Sequence, residues 1–207
     1  MINLRRSVRF LWLMIPLALA ACGAAEPKWA PDADVARATY IAPGGPTLTL
    51  FTVINNYNGS GAHSALMVNA DQRVIFDPAG TFQHPHLPER NDVIFGMSPP
   101  AVEFYIDYHA RETYRVIEQT IPVSRQVAAL AMQKVQSYGA VPKAQCANAI
   151  TDILNDLPGF ETIPNTMFPK QLLAAFTALP NISERTVRDD SPDDNSGMIT
   201  GPVLWRR

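Results

Sequence analysis

From residue 47 onward the apolar positions come in short runs separated by clusters of turn residues. "PTLTLFTVINNY" is dense in β-branched and aromatic residues and predicts a strand over 47–54. The cluster "NNYNGSG" predicts a turn, with Tyr57 and Asn58 as turn residues. "AHSALMVN" predicts a second strand over 62–68, "NADQ" another turn, and "RVIFDPAG" a third strand that stops at Pro78. The simplest arrangement of residues 62–78 is a β-hairpin. "TFQHPHLPERND" reads as a long loop. Residues 91–109 fit two states: "DVIFGM" suits strand or helix, and Pro99-Pro100 can open a helix through "AVEFYIDYHA". "YRVIEQTIPV" predicts a fourth strand.

After residue 123 the pattern changes to a period of 3.6. "SRQVAALAMQKVQSYG" places Val127, Leu130, Ala131, Val135 and Tyr138 on one helical face, with Ser124 capping the start and Gly139 the end. "CANAITDILNDL" puts Cys146, Ile150, Ile153, Leu154 and Leu157 on one stripe, so the cysteine points with the buried face. "PKQLLAAFTAL" predicts a last amphipathic helix over 169–178. The expected fold class is α+β: a small antiparallel sheet with helices packed against one side.

The two ends depart from these patterns. "MINLRRSVRFLWLMIPLALAAC" has a basic stretch at Arg5, Arg6 and Arg9, an apolar run from Phe10 to Leu19 too short to span a bilayer, and small residues ending in Cys22. This ending resembles the lipobox of bacterial lipoproteins. The resemblance implies a signal peptide over 1–21 and a lipidated Cys22. Acylation with several chains would give a stable hold on the membrane. Gly23 stands where an aspartate would mark inner-membrane retention, which implies the periplasmic face of the outer membrane if the host is Gram-negative. Residues 22–46, rich in Ala and Pro, read as a tether. Residues 183–207 are polar, acidic and broken by Pro and Gly, and are expected to be disordered. One domain over 47–182 remains.

Composition removes some classes. The formal net charge is −2. No basic patch interleaved with aromatics occurs, which argues against nucleic acid as a partner. No internal repeat is visible.

Cysteine usage sharpens the picture. The chain has only two cysteines. Lipidation of Cys22 leaves Cys146 without an intramolecular partner in an oxidising compartment. A cysteine opening a helix gains from the unsatisfied N–H groups and the dipole there, which favour a thiolate. The same N–H groups can hold an oxyanion, with Gln145 as a weaker candidate donor. A nucleophile also needs a base. Of the four histidines, His63, His84, His86 and His109, His63 lies on a predicted strand just after a Gly-rich turn. Asp77, near the end of the neighbouring strand, suits the role of orienting the imidazole. It shares a face with His63 only if the hairpin loop has odd length; a three-residue loop Asn69-Ala70-Asp71 would put the two directly opposite, and a two-residue loop would separate them. His84-Pro-His86 and His109 lack Cys, Asp or Glu neighbours at ligand spacing, so neither metal nor cofactor is expected.

"GAHSALMV" followed by "AQCANAI" resembles the circularly permuted branch of the papain-like, NlpC-type superfamily, which includes lecithin retinol acyltransferase-like members. There the histidine strand precedes the cysteine helix. "TIPNTMFPKQLLAAF" is similar to the Pro-led helix that follows it. The resemblance spans about residues 47–178. It implies Cys146 as nucleophile, His63 as base and a polar third residue that Asp77 fits. It also implies a thiol peptidase or amidase of the cell envelope, acting on peptidoglycan stem peptides, with an acyltransferase or esterase acting on lipids as the second substrate class. The competing reading is a non-catalytic envelope lipoprotein that binds a cell-wall fragment or partner and keeps Cys146 as core.

Overall fold

The computed structural model describes residues 24–200. The predicted signal peptide and Cys22 lie outside the described residues. The class is α+β, as expected from the change of pattern. Among the described residues the sheet is antiparallel throughout, with seven strands in the order β4-β5-β3-β2-β1-β6-β7. The strands are β1 (Thr47–Asn55), β2 (Gly61–Asn69), β3 (Arg73–Phe76), β4 (Glu89–Arg90), β5 (Val93–Phe95), β6 (Tyr114–Pro122) and β7 (Ser183–Arg188). The helices are α1 (Asp32–Ala38), α2 (Pro99–His109), α3 (Arg125–Tyr138), α4 (Cys146–Asn155), α5 (Pro169–Thr177) and α6 (Ser196–Thr200). No helix among the described residues is long and apolar enough to cross a membrane.

Helices cover both faces of the sheet, not one. Leu48, Leu50, Leu66, Val68 and Phe76 pack with Ile150, Leu154, Leu172 and Phe176 of α4 and α5. Phe51, Val53, Ala65, Met67 and Ile75 pack on the opposite face with Tyr105 and Ile106 of α2. The central strands show the cause: β1 is buried at every position from Leu48 to Val53 and on to Ile54, with no polar-out alternation. Residues 99–109, ambiguous in sequence, are the helix that covers this second face, with prolines at its first turn, where a missing N–H costs nothing.

Both flanks of the central domain differ from a bare tether and a disordered tail. Ala30 N–H bonds to Glu89 O at 3.0 Å, Lys28 pairs with Glu89 at 2.8 Å, and the Arg90 guanidinium lies 4.6 Å from the centre of the Trp29 ring. These contacts hold residues 28–30 on the β4 edge. At the other edge, residues 183–188 pair with β6 in register from Ser183↔Thr120 to Arg188↔Arg115. Main-chain bonding needs little apolar content, so a polar segment can form this edge. Its charged side chains also discourage further pairing.

Candidate active site

The hairpin of β2 and β3 sets the frame. Its register runs from Asn69↔Arg73 to Leu66↔Phe76, so the loop is Ala70-Asp71-Gln72. The length is odd, but the loop sits one residue later than Asn69-Ala70-Asp71. Extending the register puts Asp77 opposite Ala65, so it meets His63 on a diagonal of the same face rather than directly across. The imidazole bridges the offset, with His63 Nε2 2.7 Å from Asp77 Oδ1.

His63 alternates with Ala65 and Met67, which belong to the face covered by α2. The cysteine helix α4 packs on the other face. They meet at the rim of the sheet. Pairing of β3 stops at Phe76, opposite Leu66. Beyond that point Cys146, at the start of α4, comes close enough to the His63 ring and to the N–H groups of Ser64 and Ala147 for these to favour its thiolate form. Asp77 holds Nε2, so Nδ1 is the ring nitrogen left for the thiol.

The helix start is placed by the loop before it. Gln145 N–H bonds to Pro142 O, and Ala144 takes φ +65°, outside the usual range for a non-glycine residue. Asp77 is held by a similar turn: Gly80 N–H bonds to Asp77 O at 3.0 Å, with Ala79 at φ +57°. A Cβ on Gly80 would fall 1.8 Å from Asp77 Oδ2, so the carboxylate occupies the space a side chain would need.

Sequence reasoning missed two members of the cluster, both on α2. Tyr105 donates its hydroxyl to Asp77 Oδ1 at 2.6 Å. His109 lies one turn further on; its ring stacks on that of His63 at 5.7 Å with 10° between the planes. Its Nδ1 lies 2.8 Å from Tyr105 O, so that nitrogen carries the proton. The spacing of Tyr105 and His109 by four on a helix was the available signal, but the helix itself was in doubt. His84 and His86 lie apart: His84 packs on Phe104, and its Nδ1 accepts the His86 N–H. Gln145 caps α4 with no side-chain cap bond.

The electrostatics follow from this arrangement. Burial would lower the His63 pKa, but the charge and hydrogen bond of Asp77 outweigh it and carry it up to about 10. Burial would raise the Cys146 pKa, but the His63 hydrogen bond and charge, with the two backbone N–H groups, hold the thiol below its ordinary value. Burial would raise Asp77, but His63, His109 and Tyr105 together keep it below the usual carboxylate range. Burial pushes His109 down to about 4, so it stays neutral beside the charged His63. Cys146 is buried, at 6% exposed, and the His63 side chain is 16% exposed.

His109 had no partner at a typical ligand spacing in the sequence, but Asp77 lies near it in space. The ligand atoms of His63, Asp77 and His109 lie within 4.8 Å of one another. The 2.7 Å between His63 Nε2 and Asp77 Oδ1 is hydrogen-bond distance. Two ligands on one tetrahedral zinc at about 2.0–2.1 Å stand roughly 3.3 Å apart. The geometry present suits a proton between them.

Stability should therefore bend with pH. His63 is raised above its unfolded value of about 6.5, so its contribution is full below that pH and is lost as pH rises through about 10. His109 is depressed, so its contribution is present above about 6.5 and is lost as pH falls toward about 4. Urea denaturation from pH 7 to pH 4.5 is expected to show a loss that His109→Phe reduces by about 2 kcal/mol. Equal slopes in the two proteins would remove His109 from this account.

No protein-family model, curated protein or solved structure matches this chain.

Proposed function

We propose that this protein is a thiol hydrolase of the cell envelope, a peptidase or amidase working by acyl transfer through Cys146, His63 and Asp77. The observation that carries the reading is the convergence of these groups from three elements. α4 supplies a thiol held toward its thiolate, β2 an imidazole held toward its charged form, and the turn after β3 a carboxylate fixed on Nε2. A structural cysteine needs none of this.

The Cys146 thiolate attacks a carbonyl carbon, and N–H groups at the start of α4 hold the oxyanion. The His63 imidazolium gives its proton to the leaving amine or alkoxide. Neutral His63 then takes a proton from water, the hydroxide attacks the thioester, and Cys146 leaves as thiolate. Asp77 keeps the ring in one orientation throughout, and Tyr105 keeps Asp77 in place.

The order of histidine strand before cysteine helix and the antiparallel sheet support a permuted papain-like, NlpC-type domain. Peptide stems of peptidoglycan are the substrate class proposed with it. A lipid anchor at Cys22 places the enzyme on the membrane.

The test is alkylation by iodoacetamide at pH 6.5, followed by peptide release from purified sacculi. Cys146 is expected to react at least tenfold faster than a peptide cysteine, and Cys146→Ala to abolish release. A thiol no more reactive than a free peptide's, together with unchanged release by Cys146→Ala, would leave the non-catalytic envelope lipoprotein as the better reading.

A further inference from the structure

The site and the described N-terminus share one end of the sheet. β1 ends there at Asn55 and β2 begins at Gly61, two residues before His63. The β4–β5 turn lies at the same end: Asp92 accepts the N–H groups of Asp77, Ala79 and Val141, and Asn91 N–H bonds to Lys28 O. Ahead of Lys28, Ala24 and Glu26 line a cleft with Gly80 and Lys143, residues flanking Asp77 and Cys146 respectively. Cys22 is two residues before Ala24, at most about 7 Å of extended chain. An anchor on Cys22 would therefore hold this end, and not the opposite one, against its membrane.

A second observation lies on the same end. Tyr57, 74% exposed, is in the β1–β2 turn, and Met167 and Phe168, 50% and 63% exposed, lead into α5. The start of α5 packs on that turn: a Cβ on Gly61 would meet Pro169 and Lys170, and one on Gly59 would lie 3.8 Å from Lys170 Nζ. Three large apolar side chains exposed beside a lysine at one end of a domain suit the bilayer interface. There, aromatic rings enter the headgroup layer and lysine reaches the phosphates.

We infer that the end of the sheet bearing His63 and Cys146 rests on a lipid bilayer, with Tyr57, Met167 and Phe168 entering the headgroup–acyl boundary. The lipid anchor supplies one hold and these side chains the second, the combination that gives lasting attachment. The site then opens at the bilayer surface, where the peptide stems of the proposed function would have to approach it along the membrane. The inference rests on the Cys22 anchor for its orientation argument and on the apolar side chains for its contact.

The experiment uses the full-length protein, processed in its own membrane and reconstituted into phosphatidylethanolamine–phosphatidylglycerol vesicles with brominated acyl chains. Phe168→Trp adds a reporter at the proposed contact, and Asp71→Trp adds one in the exposed turn at the other end. Roughly half of the emission added at position 168 is expected to be quenched, and little of that added at position 71, given burial of about 5–10 Å into the interface. An unquenched reporter at 168, or equal quenching at both positions, overturns the contact. The intact mass decides the anchor separately. Acylated Cys22 with no quenching at 168 keeps the anchor and rejects the contact; quenching at 168 without acylation keeps the contact and rejects the anchor. Alkylation of Cys146 remains an independent measure of the enzyme reading.

Discussion

His63→Ala is expected to lower turnover by about 10³-fold, because the same imidazole ionises the nucleophile and protonates the leaving group. The thiol should respond as strongly. Burial raises the Cys146 pKa, and the largest opposing influence is the His63 hydrogen bond, followed by its charge. Without them the thiol returns to its ordinary range or above, and iodoacetamide alkylation at pH 6.5 should slow by at least about tenfold. The pH profile carries the sign. In the parent, the rate rises as Cys146 ionises below its ordinary pKa and falls as His63 deprotonates near pH 10. The activity window between those limits should close in the variant. Alkylation unchanged by His63→Ala would mean that the histidine does not govern the thiol.

Asp77→Ala is expected to be nearly as damaging, for a different reason. Asp77 is 3% exposed, and its Oδ1 accepts bonds from both His63 and Tyr105. Removing it leaves a buried imidazolium and a buried hydroxyl without their partner, a loss of about 3–5 kcal/mol in stability. Turnover should fall by about 10²-fold or more as the ring loses its orientation. Asp77→Asn keeps an acceptor for Nε2–H and removes the charge, so it should retain more activity than alanine. Its alkaline limb should move below pH 10, because the Asp77 charge and hydrogen bond are what raise His63. Gly80→Ala probes the same carboxylate from behind: its Cβ needs the place of Asp77 Oδ2. It should shift the pH profile in the same direction as Asp77→Asn. An unmoved alkaline limb in both variants would deny Asp77 its positioning role.

Local patterning carried much of the fold. The β-branched and apolar runs of β1 and β2, the Ser124 cap, whose Oγ accepts the Val127 N–H at 3.2 Å, and the apolar stripe of α4 are all written in neighbouring residues. The stripe from Cys146 to Leu157 is buried along its whole length. Segments whose stability comes from a distant partner were harder to read. β7 exists because β6 offers an unpaired edge, and residues 28–30 are held by Glu89 and Arg90, some sixty positions away. β4 and β5 are too short for an alternation to register, and His84-Pro-His86 drew attention as a loop pair without joining the cluster.

The sequence by itself determined an α+β chain with an antiparallel hairpin and a cysteine at the first residue of a buried helix, because these follow from β-branched and apolar runs between turn clusters, from a helical period of 3.6 and from capping chemistry. It also singled out His63 and Asp77 as residues that an odd hairpin loop would bring to one face. Only the tertiary structure decided where that loop turns, that α2 closes the second face with Tyr105 and His109, and that Cys146 meets His63 around the rim of the sheet. Those outcomes depend on register and on packing between elements far apart in the chain. Such contacts gain their energy from surfaces that come together only on folding, and no local pattern of residues encodes them.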